Sequence, residues 1–310
     1  MTESKISAKK HTLVTAAAVI LMICPAFLFP KEISDSVLDG MRLAAFGVIP
    51  SVFPFLIVSD ALISISDGEY GFFSRVFSKI FGVSKSGFSA FIAGSVCGFP
   101  VGVKVSSELY ESGAIKKDEA ERLIGFCNNP SLAFVISAVG LGIFGSLKIG
   151  LALYLAVVAS AVLSGLLFRK KPSKIVKTEI IARQKFDFVA SVKNAGFSCV
   201  AISSYIIFFS AVSGLARHVL GLGPLTLLIS ALSEVSGGVN FVARSSIIPS
   251  QYILSSVAFV LAFSGFSVHL QARSLACREL SFRKYYLMKF IQAVFAAILM
   301  LLPMLLLRLF

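Results

Sequence analysis

The apolar positions of this chain do not alternate as in strands, nor do they repeat as one stripe of a soluble helix. They come in long, nearly uninterrupted blocks. Such blocks occupy about Thr12–Phe29, Leu43–Ile65, Leu123–Phe144, Leu147–Phe168, Gly196–Ala216, Tyr252–Leu270 and Lys289–Leu307. An apolar run of roughly 18 residues or more matches the hydrocarbon thickness of a bilayer when wound as a helix. These seven blocks are therefore expected to be transmembrane helices. Two further segments, Gly87–Val105 and Leu222–Ala243, are apolar but interrupted by glycine and, in the first, by Pro100. They are expected to enter and leave the membrane on one side, as re-entrant hairpins. Lys31–Arg42 places Ile33, Val37, Leu38 and Met41 on one helical face and reads as a helix on the membrane surface.

Composition agrees. The 310 residues are 56% hydrophobic and 15% charged, and a soluble domain carries about 25% charged residues. The five cysteines, Cys24, Cys97, Cys127, Cys199 and Cys277, include no C-x-x-C pair and sit mostly inside apolar runs, so they read as small buried hydrophobes. Lys5, Lys9 and Lys10 before the first run resemble a signal peptide, but the run is long and no small-x-small site follows. It is read as a retained span.

The net charge of +13 raises the question of a nucleic-acid partner. The basic residues are spread between apolar blocks and form no single polar face, so no nucleic acid is expected. With both interrupted segments as hairpins, 23 Lys/Arg fall on one side of the membrane and six on the other. That bias is the positive-inside rule, and it makes the rich side cytoplasmic. The basic linker 169–193 then divides two Gate-like halves, 40–168 and 194–310, with 1–39 forming an N-terminal helix and surface segment. Each half reads span, hairpin, span, span, the first starting outside and the second inside. The expected fold is all-α: about seven transmembrane helices plus two Gly-rich re-entrant hairpins arranged as an inverted repeat, a plan used by secondary transporters.

Candidate chemistry lies where these segments break. Gly98, Pro100 and Gly102 precede Lys104 in the first hairpin. Glu234, Gly237, Gly238 and Asn240 occupy the matching place in the second, near Arg244. Glycines allow close helix packing; at a hairpin tip they would also leave amides facing an anionic solute. Glu234 is an ionisable group inside an apolar segment, which is costly and points to function, the plainer reading being a hydrogen-bonded structural carboxyl. Asn128, Asn129 and Ser131 interrupt one span, and Ser264, Gly265 and His269 another. Motifs of soluble enzymes are absent, with no H-E-x-x-H, G-x-x-x-x-G-K-[ST] or G-x-S-x-G, so no enzyme activity is expected. No cofactor is expected, the coupling ion stays open, and a homo-oligomer is compatible with the sequence.

Gly98-Phe99-Pro100-Val101-Gly102-Val103-Lys104, Glu119-Ala120-Glu121-Arg122-Leu123, Phe126-Cys127-Asn128-Asn129-Pro130-Ser131 and Ser264 to Gln271 resemble, in this order, the YlbJ-type sporulation integral membrane proteins. Pro50-Ser51-Val52-Phe53-Pro54-Phe55 and the Glu234–Gly238 turn resemble the wider nucleoside-recognition, or Gate, domain. The likeness covers about residues 40 to 275. It implies a membrane protein of endospore formation, located in the mother-cell membrane around the forespore. It also implies movement of dipicolinic acid, a small aromatic dianion, out of the mother-cell cytoplasm. A nucleoside or other metabolite carrier, and a non-transporting scaffold for spore assembly, are the alternatives.

Overall fold

A computed structural model describes residues 27–65, 71–170 and 186–307. Every regular element among them is helical. In chain order they are α1 (Pro30–Arg42), a π-helical segment (Leu43–Val48), α2 (Ile49–Ile65), α3 (Gly71–Phe81), α4 (Gly87–Val96), α5 (Val101–Glu111), α6 (Lys117–Cys127), a second π-helical segment (Phe134–Ile143), α7 (Leu147–Leu167), α8 (Phe188–Leu220), α9 (Pro224–Ser233), α10 (Val235–Ala243), α11 (Ser250–Phe263), α12 (Gly265–Leu275) and α13 (Arg283–Leu307). The expected first span, Thr12–Phe29, up to residue 26, and most of the basic linker lie outside the described residues.

Four helices among the described residues are long and apolar enough to cross a membrane: α7, α8, α11 continued into α12, and α13. A fifth crossing arises if α1, the first π segment and α2 count as one helix, which bends by 45° beside Pro50–Ser51. A π turn removes an ordinary backbone hydrogen bond, and Pro54 removes another, so this helix cannot stay straight. The run at 123–144 is no single helix. It is the end of α6, an irregular stretch at 128–131 and the second π-helical segment.

Both interrupted segments fold back on themselves. α4 and α5 are ten and eleven residues long, roughly 15 Å each at 1.5 Å per residue, half of what a membrane crossing needs. Their turn is Cys97 to Pro100, with a cis Phe99–Pro100 peptide. α9 and α10, of ten and nine residues, turn at Glu234, the lone extended residue between them. In the first hairpin Gly94 faces Gly102; in the second Ser230 and Ala231 face Gly238. Each contact is four residues out from a tip, at Gly98 and Glu234, so the two turns are built alike.

Three expectations need correction. Lys31–Arg42 does not lie alone on a surface. α1 runs antiparallel along α8, with Gly40 against Ile207 and Ser210, and Ser36 against Gly214. α8 itself extends a full two turns before Gly196, because Asp187 caps it by accepting from the Ala190 amide at 3.0 Å. The stretch with Arg75, Lys79 and Lys85, which reads from the sequence as a polar loop between the second block and the first hairpin, contains a helix, α3, whose Phe77 and Phe81 pack into an aromatic cluster with Phe91 and Phe126.

Candidate functional site

The hairpin tips are not free ends. Gly98, at a φ of 90°, lies so close to Ser131 that a Cβ there would fall 2.7 Å from the Ser131 amide nitrogen. Gly265 in turn sits against Glu234 and the carbonyls of Leu232 and Ser233, each 3.3 Å from where its Cβ would be. Each tip is thus seated on the helix break of its own half. The second break is a left-handed pair, Ser264 at φ 77° and Gly265 at φ 74°. A left-handed serine cannot continue a helix, so α11 stops and α12 restarts.

Both tips border one cavity of about 310 Å³. Gly98, Phe99, Ser131, Phe134, Glu234, Ser236 and Gln271 line it, along with apolar residues of the first π-helical segment and α2. Its volume is at the lower end of small-molecule sites, roughly 300–1,000 Å³. Glu234 is the carboxylate of the lining, and among the described residues no Lys or Arg borders it.

The Glu234 carboxylate caps α10. One oxygen accepts from the Ser236 amide at 3.0 Å, the other from the Gly237 amide at 2.7 Å. It occupies the helix N-terminus that the sequence suggested for a solute anion, and its charge is balanced by the helix dipole. In the first hairpin the Val101 amide bonds to the Gly98 carbonyl, and those of Val103 and Lys104 to the Pro100 carbonyl. The amide donors expected to face a solute are therefore largely engaged within the hairpins.

The other predicted residues divide into three sets. Pro100, Gly102, Gly238, Ser264 and Gly265 shape the tips, legs and breaks. Gly102 and Gly94 straddle the Cys127 carbonyl oxygen, with built Cβ positions 2.0 and 1.7 Å from it. Gly237 supplies its amide to Glu234, and Asn240 is exposed on α10. Lys104 lies away from the cavity lining, paired with Asp60 and, at 3.7 Å, with Glu108. Its charge is already compensated by two carboxylates.

Asn128, Asn129 and His269 belong to a buried polar network beside the first break. Lys289 Nζ donates to the Asn128 carbonyl at 2.8 Å and to Gln292 Oε1 at 2.9 Å. Gln292 Nε2 donates to Asn129 Oδ1 at 2.7 Å. Asn128 Nδ2 donates to the Tyr285 hydroxyl at 3.0 Å, and His269 Nδ1 is 3.0 Å from the same hydroxyl. Lys289, Gln292 and Asn128 have no solvent exposure. By its place in the sequence Lys289 is expected at the very start of the last span. α13 begins at Arg283, so Lys289 is well inside the helix and within the protein.

Lys289, Gln292, Tyr285, Gln271 and Asp60 were missed by the sequence reading. Two of them carried a signal, since Asp60 and Lys289 are ionisable residues within or at the edge of apolar blocks. Outside the spans, the Glu119–Arg122 motif ties elements together beside the end of α7, where Lys170 reaches Asp118. Glu119 accepts from the Ser84 amide and hydroxyl, Glu121 from the Ser281 amide, and Arg122 donates to the carbonyls of Phe81 and Gly82. Asp118 receives Lys284 at 2.6 Å and Lys170 at 3.2 Å. Burial raises the Asp118 carboxyl, but these two hydrogen bonds outweigh it and hold it below the usual carboxylate range. Burial raises the Glu119 carboxyl despite the opposing Ser84 hydrogen bonds.

These elements define an all-helical polytopic membrane protein with a cavity at the meeting point of two helical hairpins. The chain is similar to the sporulation integral membrane protein YlbJ of Bacillus subtilis (strain 168), with 26% identity over 337 residues, covering 94% of this chain and 82% of that protein. The similarity runs nearly end to end and bears out the resemblance to the YlbJ-type proteins seen in the motifs. No family model matches the chain, and no solved structure does.

Proposed function

We propose that this chain is a small-solute carrier of endospore formation, acting in the mother-cell membrane around the forespore, with the cavity between the hairpin tips as its solute site. The observation that carries the reading is convergence. Both tips, the first break and Val268 and Gln271 of α12 border a single cavity, and non-helical backbone at membrane depth is tolerated where it lines a cavity. The element order supports an inverted repeat. A long helix, a hairpin, a broken helix and a final span occur in each half, and the loop charges give the halves opposite orientation. Rocking of one half against the other would then expose the cavity alternately to each side.

Dipicolinic acid, moving out of the mother-cell cytoplasm, is the substrate that the resemblance implies. The lining places a condition on it. A dianion beside Glu234, with no basic side chain at the cavity, enters with Glu234 protonated or with a divalent cation shared between the two. Dipicolinate, with a pyridine nitrogen between two carboxylates, is a chelator suited to the second route. The absence of Lys and Arg from the lining favours one further reading, a neutral solute such as a nucleoside, whose donors would meet Glu234 and Gln271 and whose ring would lie against Phe99 or Phe134.

The test is flux into proteoliposomes of dipicolinate, with and without calcium, and of uridine. Saturable dipicolinate flux supports the proposal; a rise with calcium and loss in Glu234→Gln select the shared cation, and calcium-independent flux kept in Glu234→Gln selects the protonated carboxyl. Uridine flux without dipicolinate flux selects the nucleoside reading. No flux of either by protein shown to be folded overturns the carrier and favours a scaffold.

A further inference from the structure

The α3 helix has three faces. Ser74, Phe77 and Phe81 point into the protein, where Phe77 meets Phe88 and Phe91 at ring-centroid distances of 5.4 and 5.3 Å. Opposite, Phe72 and Phe73 are 72% and 70% exposed, and Val76 and Ile80 are exposed as well. At 3.6 residues per turn these four fall in one sector about 100° wide. Arg75 and Lys79 occupy the adjoining sector, both exposed, and neither has an ion-pair partner among the described residues. A helix with an outward apolar face beside a basic stripe suits the boundary between headgroups and acyl chains.

Its level in the fold agrees. Arg169 Nη2 donates to the Lys79 carbonyl at 2.8 Å. The chain at Gly82 lies against the Lys170 carbonyl, closely enough that no Cβ would fit. Arg169 and Lys170 directly follow the spanning helix α7, so α3 ends where that span leaves the membrane, on the side richer in basic residues.

We propose that α3 lies in the cytoplasmic leaflet, with Phe72, Phe73, Val76 and Ile80 among acyl chains, and that Arg75, Lys79 and Arg169 bind the headgroups of anionic phospholipids. Basic side chains held at this depth draw on the negative surface potential of that leaflet. The site is independent of whether the cavity carries a solute.

The chain contains no tryptophan, so Phe73→Trp gives the full-length protein a single reporter. In nanodiscs its emission is expected to be blue-shifted, quenched by phospholipid brominated near the headgroup, and untouched by aqueous iodide. Quenching by iodide but not by bromolipid overturns the insertion, and protection from both assigns the face to a protein partner instead. Selectivity is read by comparing brominated phosphatidylglycerol with brominated phosphatidylcholine at equal mole fraction. The anionic lipid should quench about twofold more strongly, and Arg75→Gln with Lys79→Gln should abolish the difference. Equal quenching by the two lipids in the unmodified background overturns headgroup binding. Phe72→Trp serves as a second reporter should the first variant fail to fold.

Discussion

In the first half of the molecule the hairpin tip, Gly98 to Pro100, is uncharged, and the buried charge behind its helix break is lent by the second half, as Lys289 of α13 on the Asn128 carbonyl. In the second half the break, Ser264-Gly265, is uncharged, and the buried charge is on the tip, as Glu234 on the amides of Ser236 and Gly237. Asn128 is the residue that ends α6, so the ammonium meets a helix C-terminus. Glu234 begins α10, so the carboxylate meets a helix N-terminus. Each charge has the sign that its helix end stabilises. Interrupting a helix inside a membrane leaves unpaired backbone groups, and at the two sites they are satisfied by opposite charges, both supplied by the second half.

The comparison can be broken most severely at Lys289. Lys289→Met leaves the Asn128 carbonyl and Gln292 without their donor, and is expected to cost about 3 kcal/mol of stability. A fall in apparent melting temperature in detergent, larger than for any variant below, would show it; an unchanged melt would mean that the break does not depend on the ammonium. Next comes a contrast between hairpins. Gly94→Ala places a methyl 1.7 Å from the Cys127 carbonyl oxygen, whereas in Gly238→Ala the nearest atom, the Ser230 carbonyl oxygen, is 2.8 Å away. The first should cost about 2 kcal/mol or more and the second about 1 kcal/mol, measured as the order of their melting temperatures.

Glu234→Gln keeps one acceptor for the α10 amides and should cost about 1 kcal/mol. On the shared-cation route its flux defect should exceed what that loss explains, whereas flux retained in a folded variant would select the route with Glu234 protonated, which glutamine imitates. Smallest is Asp118→Asn at the start of α6. The carboxyl is half exposed, so its two lysine contacts contribute less than about 1 kcal/mol. Its folded pKa is depressed, so that contribution is present above the ordinary aspartate value of about 3.9 and fades as pH falls below it. The difference between Asp118→Asn and the unmodified protein should therefore be seen at pH 7 and vanish in acid.

Much of the helical plan was legible. Long apolar blocks placed the spanning helices, and Asn128-Asn129-Pro130-Ser131 and Ser264-Gly265 marked the breaks, because proline and paired small polar residues disrupt a helix wherever they stand. The turns at Gly98 and Glu234 followed from glycines grouped in segments of low charge. α3 was hidden because Arg75 and Lys79 make its window polar, although its phenylalanines recur at helical spacing. Lys289 was hidden by a boundary: read from the apolar run, it begins a span, whereas the helix starts six residues earlier and carries it inward. The cavity lining was the least legible part. Of the residues singled out, Gly98, Ser131 and Glu234 border it, since which face of a break turns inward is decided by the helices packed around it.

The Cys127 carbonyl oxygen lodged between Gly94 and Gly102 has a mechanical consequence. With no gap between hairpin legs and the stub of α6, these three pieces can only travel as one solid body. The second hairpin rests on Gly265 across distances that would admit a methyl group after a slight shift. A passage past the tips would therefore have a fixed jamb on the side of Gly98 and a swinging leaf on the side of Glu234.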